Sequence, residues 1–393
     1  MIYSFAGCHL DTNRRGLTRD GQEVATEPQV FDVLCTLIES AGAVVTKDQL
    51  IETVWQGRIV SDASINSRIN AARIAVGDNG KDQKVIRTLP RRGFELVANV
   101  EVRDQASGSS HPKPAQTIRY TAAPDGTNIA WAEAGSGAPL LHCWHHVSHL
   151  ELDWSTSFLA PAFHNLASHH RLIRYDIRGT GLSDPLKKTD TLDAHVDDLF
   201  TVADAAGLDR FPIVAHLQGA AAAILAAARQ PQRITRLVLV NGYARGRSAR
   251  EAAPENIEHD PFIALLNSGG WGDPSHAFMR AFITMTLPTA THEEADEMIR
   301  LVGKASSGED AFLQRKLIDY LDVTAQLPKV QCPTLVIHAR LCAIHPVSEG
   351  RRLAAGIPDA EFLELDSSNA FFIPNEPVFG SYLQATLDFL GRD

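Results

Sequence analysis

Residues 212–228, PIVAHLQGAAAAILAAA, run from an apolar strand through a tight turn into an alanine-rich helix. Small residues, Ala215 and Gly219, bracket the turn, and His216, Leu217 and Gln218 lie between them. In its G-x-S-x-G form, such a turn lifts a serine clear of the backbone as a nucleophile. The central residue here is Leu217, which has no lone pair that a neighbour could activate. A bulky side chain at that position is also expected to sit at positive φ, a costly conformation.

A second chemistry-bearing run is LLHCWHHVSH, with His142, Cys143, His145, His146 and His149. His145 and His149 have the i, i+4 spacing of metal ligands if the segment is helical. The run follows a strand, however, and no carboxylate stands at matching spacing, so structural or pocket-polar histidines are expected and no metal or cofactor. The five cysteines (Cys8, Cys35, Cys143, Cys332 and Cys342) are odd in number and form no C-x-x-C pair. They fit a reducing cytosol rather than a disulfide or zinc framework.

The third run is basic. Residues 58–92 hold eight basic side chains, among them Arg68, Arg73, Lys84, Arg87, Arg91 and Arg92, against three acidic ones. Residues 1–103 are neutral, with 13 basic and 13 acidic residues, so the net charge of −10 lies wholly in the remainder. A local cationic excess in an acidic chain is an electrostatic footprint for a polyanion.

These residues need elements to hold them. The chain of 393 residues is 44% hydrophobic and 21% charged, enough for two soluble domains. No basic start with an apolar core suggests a secretory signal, and no apolar run reaches the roughly 18 residues of a membrane span, so a cytoplasmic protein is expected. A Ser-, Pro- and Gly-containing stretch, RDQASGSSHPKPAQ at 103–116, reads as a linker. Before it, short strands precede three helical patterns at 27–40, 46–55 and 61–77, with Thr46 and Ser61 as N-caps. On the third, Ile65, Ile69, Ala72 and Val76 form a buried stripe, leaving Asn66, Arg68, Asn70 and Arg73 opposite. Residues 84–97 alternate into a hairpin whose tip is Pro90, Arg91, Arg92 and Gly93.

The segments EPQVFDVL, TKDQLIETVW, RIVSDASINSRINAARIAVGDNG and VIRTLPRRGFELV resemble, in that order, the winged-helix DNA-binding domain of OmpR/PhoB-type regulators and their ToxR/CadC-like relatives. The resemblance implies a winged helix over residues 1–102 that binds double-stranded promoter DNA. Arg68, Asn70 and Arg73 would face the major groove; Thr88, Arg91 and Arg92, with Lys84 and Arg87, would hold the backbone or minor groove. The physics agrees, since arginine forks match guanine edges and phosphates and asparagine can pair with adenine. Aspartyl phosphorylation and a ToxR-like membrane arrangement are not expected, for want of a receiver segment and a spanning helix.

From residue 117 to 393 strands alternate with helices, a pattern for a mostly parallel doubly wound α/β sheet, with a helical lid over about 243–327. The elbow, RYDIRGTGLSD and PTLVIHARLCAIHPVSEGRRLA together resemble the α/β-hydrolase fold. The resemblance places the nucleophile at Leu217, the acid at Cys342 and the base at Ala370, none of which suits its role. A catalytically inactive pocket is therefore expected. Its lining would be Trp144, His145, Leu217, Gln218, Cys342 and Ala370, with Tyr243, Trp271, Phe278 and Phe282 from the lid, and it would sense a small organic ligand. The expected protein is a one-component transcription regulator acting as a homodimer. Two alternatives stand beside it: an enzyme using Cys342, Cys143 or the histidines, and a regulator whose second domain serves only for dimerisation or docking.

Overall fold

The computed structural model describes residues 2–392 except 13–14, 20, 56–57, 59, 104–113, 146 and 251–269. Most of the expected linker, His146 and part of the expected lid lie outside the described residues. The chain divides into two compact units, residues 1–111 and 112–393.

In the first unit, strands β1 (Ile2–Phe5), β2 (Cys8–Asp11), β3 (Gly16–Arg19) and β4 (Gln22–Val24) form an antiparallel meander. Helix α1 (Pro28–Glu39) starts with proline in its first turn and buries Val30, Phe31, Leu34 and Leu37. After β5 (Val44–Val45), α2 (Lys47–Trp55) is capped reciprocally by Thr46 and Gln49. Helix α3 (Asp62–Ala75) is capped by the Ser61 side chain, which accepts from the amide of Ser64. Strands β6 (Ile86–Leu89) and β7 (Gly93–Leu96) make the wing hairpin, with β5 on the far side of β7. Gly93, at φ +137°, is obligatory there, because a Cβ would lie 2.1 Å from the carbonyl oxygen of Val45. Strand β8 (Glu101–Arg103) returns to pair with β1, completing a sheet of order β4-β3-β2-β1-β8.

The second unit opens with the antiparallel pair β9 (Gln116–Ala122) and β10 (Asn128–Ala134). There follow β11 (Pro139–Cys143), α4 (Leu150–Asp153), α5 (Ala160–His169), β12 (Arg171–Tyr175), α6 (Leu192–Ala205), β13 (Phe211–His216), α7 (Gly219–Arg229) and β14 (Ile234–Val240). Helices α8 (Arg247–Arg250), α9 (Ala277–Thr286), α10 (His292–Ala305) and α11 (Gly308–Tyr320) then interrupt the strand–helix rhythm. The chain resumes with β15 (Thr334–Ala339), α12 (Val347–Gly356), β16 (Glu361–Leu365) and α13 (Phe379–Leu390). The eight strands order as β16-β15-β14-β13-β11-β12-β10-β9. The six from β16 to β12 are parallel. Their cores, such as Ile213-Val214-Ala215 and Leu237-Val238-Leu239-Val240, are continuous apolar runs buried on both faces. Arg178, just beyond β12, is buried and binds Asp198 through Nε at 2.7 Å and Nη2 at 2.6 Å, and Asp125 and Asp190 through Nη1 at 2.9 Å each. The RGTGLSD segment thus ties three acidic segments together as scaffold. Among the described residues, no helix is long and apolar enough to cross a membrane.

Candidate functional site

On α3 the apolar stripe Ile65, Ile69 and Ala72 is buried as the periodicity predicts. The exposed stripe consists of Asn66, Ser67, Asn70 and Ile74, the last 71% exposed. Arg73 is a correction. It is only 5% exposed, and its Nε donates to the carbonyl of Ile86 at 3.0 Å, Nη2 to Thr88 Oγ1 at 2.7 Å and Nη1 to Asn70 Oδ1 at 3.3 Å. Burial pulls its guanidinium below the usual arginine range, with Asp78 opposing. Arg73 therefore fastens the helix to the wing instead of facing a groove, and Thr88 is its partner rather than a free phosphate ligand. The cause is geometric: the residue sits at the edge of the polar face, where its long side chain reaches the adjacent strand.

Asp78 locks the turn between them. Burial works against its ionised form, but the amides of Asn79, Lys84, Val85 and Ile86 hold its carboxyl below the usual range. Arg68 pairs with the exposed carboxylate of Glu27. Lys84, Arg87, Arg91 and Arg92 are exposed along the hairpin, Arg87 lying 3.9 Å from Glu95. Arg91, at φ +61°, makes the turn at the tip. The surface so assembled has an uncharged helix stripe flanked by wing cations.

In the second unit the turn between β13 and α7 keeps the left-handed geometry expected of an elbow. Leu217 has φ +53°, is buried, and donates its amide to the carbonyl of Val240 at 3.0 Å. Gly219 lets α7 press on β11, for a Cβ there would lie 2.5 Å from the Trp144 carbonyl oxygen and 2.6 Å from that of Cys143. Cys342 follows β15, buried, its Sγ accepting from the amide of His345 at 3.4 Å. Ala370 follows β16, its amide donating to the Thr286 carbonyl at 2.8 Å and its carbonyl accepting from Asn241 Nδ2 at 2.9 Å. Asn241 Oδ1 accepts from the amide of Ala339 at 2.7 Å, so one buried amide side chain joins the ends of β14 and β15 to the 369–370 loop. Asn369 pins that loop to Thr289.

The thiols are poor nucleophiles. Burial pushes Cys143 up to about 11, although Tyr175 Oη lies 3.2 Å from its Sγ, and burial raises Cys342 as well. Both are protonated at neutral pH. His142 is buried against Trp144, Phe163 and His216, with ring centroids 5.0–5.2 Å away. His145 tilts over Phe371 at 4.6 Å, its Nδ1 accepting from the amide of Val147. His149 stands at the N-cap of α4.

Beside the elbow lies an internal cavity walled by β11, β12, α6, α7 and α11, with about 20 Å³ of free space. Of the ten residues expected to line one cleft, Trp144 and Gln218 border it. His145, Leu217, Tyr243, Trp271, Phe278, Phe282, Cys342 and Ala370 do not. Tyr243 stacks on His345 at 4.5 Å, Trp271 donates to the carbonyl of Ser306, and Phe278 and Phe282 pack half-buried on the core. Sequence reasoning missed His195, Tyr175 and Gln314. His195 carried a readable signal: it lies in the apolar stripe of α6 with Leu199 and Val202, where a buried imidazole is out of place.

Two family models match the chain: "Transcriptional regulatory protein, C terminal" over residues 21–96 and "alpha/beta hydrolase fold" over residues 140–274. The chain is similar to a putative carbamate hydrolase RutD of Caulobacter sp. (strain K31), 32% identical over 214 residues, 53% of this chain and 77% of that protein. It is also similar to the transcriptional activator CadC of Escherichia coli (strain K12), 30% identical over 114 residues, 28% of this chain and 22% of that protein. Among solved structures, a hydrolase from Pseudomonas aeruginosa PA01 superimposes with a TM-score of 0.58 at 23% identity, covering 70% of this chain and 99% of that one. The enol-lactonase from Burkholderia xenovorans LB400 does so with a TM-score of 0.57 at 24% identity, covering 70% and 100%. The two structural likenesses establish the fold of the second unit.

Proposed function

The chain belongs to the α/β-hydrolase fold family through its second unit and carries a DNA-binding regulator domain ahead of it, and on that premise we propose that it is a one-component transcription regulator whose hydrolase-like unit senses a small organic ligand instead of turning one over. The observation that carries the reading is the set Leu217, Cys342 and Ala370 at the elbow and in the two loops after β15 and β16. A side chain without a lone pair, a protonated thiol and a methyl group cannot divide the roles of nucleophile, orienting acid and base. In this reading the protein acts where promoter DNA is, in the cytoplasm, as a homodimer on paired half-sites. Ligand binding changes operator affinity by favouring one arrangement of the dimer. Such coupling amounts to about 1–3 kcal/mol, or roughly 5- to 150-fold in affinity. The test is promoter binding by the full chain with and without candidate compounds. An affinity indifferent to every compound that binds the second unit overturns it.

The similarity to proteins named as putative carbamate hydrolases favours a second reading, an enzyme joined to a DNA-binding domain. Carbamate turnover by the wild-type chain above the buffer rate, abolished by a single substitution in the second unit, would establish that reading and displace the first.

A further inference from the structure

Three residues that border the cavity beside the elbow, Gln218, His195 and Trp144, each carry a buried polar atom with no hydrogen-bond partner among the described residues. Gln218, 8% exposed, and His195, 6% exposed, both border it. Gln218 Nε2 and His195 Nε2 have no hydrogen-bond partner among the described residues. A buried amide or imidazole nitrogen left unpaired costs about 1–3 kcal/mol, so a structure that keeps two in one cavity points to an external partner. Trp144 Nε1, on the same wall, is likewise unpartnered among the described residues, while Ile177, Leu192, Ala222, Leu317, Ile318 and Leu321 present hydrocarbon and Gln314 Nε2 donates to the Arg178 carbonyl at 2.8 Å.

Charge narrows the ligand further. No lysine, arginine, aspartate or glutamate borders the cavity. Arg178, the cation beside His195, is consumed by Asp198, Asp190 and Asp125. Burial holds the His195 imidazole down at about 4, hence neutral at physiological pH. A carboxylate or ammonium would enter without a counter-charge and forfeit its hydration. The Gln218 amide nitrogen can only donate, so the ligand must bring an acceptor; neutral imidazole can donate as well.

We infer that this cavity binds an uncharged, largely apolar molecule through one carbonyl oxygen, which accepts from Gln218 Nε2 and His195 Nε2 while its hydrocarbon part lies on α6 and α11. Leu192, Leu317 and Leu321 border both the cavity and an open groove of about 860 Å³ on its outer side. A ligand larger than a few atoms enters by displacing these three side chains. The inference rests on the sensor reading for its purpose, though not for its chemistry.

The experiment uses the full chain with methyl ketones from 2-butanone to 2-decanone, each against the carboxylate of equal chain length. Binding is read by Trp fluorescence and melting temperature. Ketones are expected to bind and raise the melting temperature, with matched carboxylates at least tenfold weaker. Gln218→Met, which keeps length and removes the donor, should weaken the ketone about tenfold, the scale of one hydrogen bond. Ala222→Phe, checked for intact fold by circular dichroism, should abolish binding by filling the cavity. Equal or tighter carboxylate binding, ketone affinity unchanged in Gln218→Met, or no ketone binding at all overturns the assignment. Ketone binding as expected with unchanged promoter affinity upholds the ligand class and defeats the sensor reading. A promoter response to a compound lacking a carbonyl, retained in Gln218→Met, does the reverse.

Discussion

The guanidinium of Arg73 spans from the recognition helix to the wing, its Nη2 2.7 Å from Thr88 Oγ1 and its Nε 3.0 Å from the carbonyl oxygen of Ile86. Helix and hairpin are therefore held together as one piece. Arg73→Ala is expected to remove about 2–3 kcal/mol from the first unit, the scale of hydrogen bonds to a buried charged group. DNA affinity should fall on every sequence alike. Arg73→Lys should not restore it, because an ammonium cannot reproduce the fork. Chemical denaturation combined with binding to a randomised DNA pool checks this; a changed base preference with unchanged stability would contradict it.

With Arg73 tied to the wing, the proposed reading assigns base reading to the uncharged stripe and phosphate holding to the wing. Asn70→Ala should relax discrimination at one base pair by about 1–3 kcal/mol, most naturally at an adenine. Arg91→Ala or Arg92→Ala should weaken all sequences and each lower the salt slope of binding by about one. Titrations between low and moderate salt separate the two effects. A slope that stays put in both arginine variants rules the wing out as the phosphate clamp.

Burial holds His195 at about 4 and His216 at about 3, against about 6.5 for a free imidazole. Below pH 6.5 the unfolded chain takes up protons that the folded one refuses, so these residues withdraw stability as pH falls towards 4 and 3. Each withdraws up to about 1.4 kcal/mol per pH unit. Asp153, pushed by burial to about 7 despite its pairing with Arg174, works in the opposite sense. The difference between wild type and His216→Phe isolates the histidine. Between pH 6 and 4.5 the variant's melting temperature should fall less steeply than that of wild type; parallel curves would show that His216 is protonated in the fold.

Leu217→Ser alone is expected to leave ester hydrolysis at background. A serine hydroxyl at the elbow has no base at Ala370 to take its proton. Mass spectrometry after fluorophosphonate treatment provides the check. A serine adduct in the second unit, in wild type or variant, would falsify the inactive-pocket reading.

Both folds were legible because their signals are local and repeated: the buried stripe on α3, the apolar parallel strands, the elbow. Strands β5 and β8 were not, since two or three residues acquire strand character only by pairing with β7 and β1. Arg73 was misplaced because helical periodicity gives the direction of a Cβ and not the reach of a long side chain. Of the expected lining, only Trp144 and Gln218 border the cavity beside the elbow. Tyr243, Phe278 and Phe282, expected at the pocket, pack on His345 or on the core and do not border this cavity. Gln218 was read as lining from its place in the elbow, whereas its meeting with His195 depends on how α6 and α7 come together in the fold.

The exposed cations of the wing belong to a stretch, residues 1–103, of zero net charge, while the rest of the chain carries the full −10. This partition bears on how the protein finds its operator. On the proposed reading, attraction to phosphates is short-ranged and strongest at the hairpin, and the acidic remainder is repelled by the same polyanion. On the proposed reading, each encounter with random sequence is expected to be brief, and search to proceed by frequent hops rather than long one-dimensional slides. Neutralising part of that acidic surface should lengthen dwell times on nonspecific DNA and slow arrival at the target, even as equilibrium affinity rises.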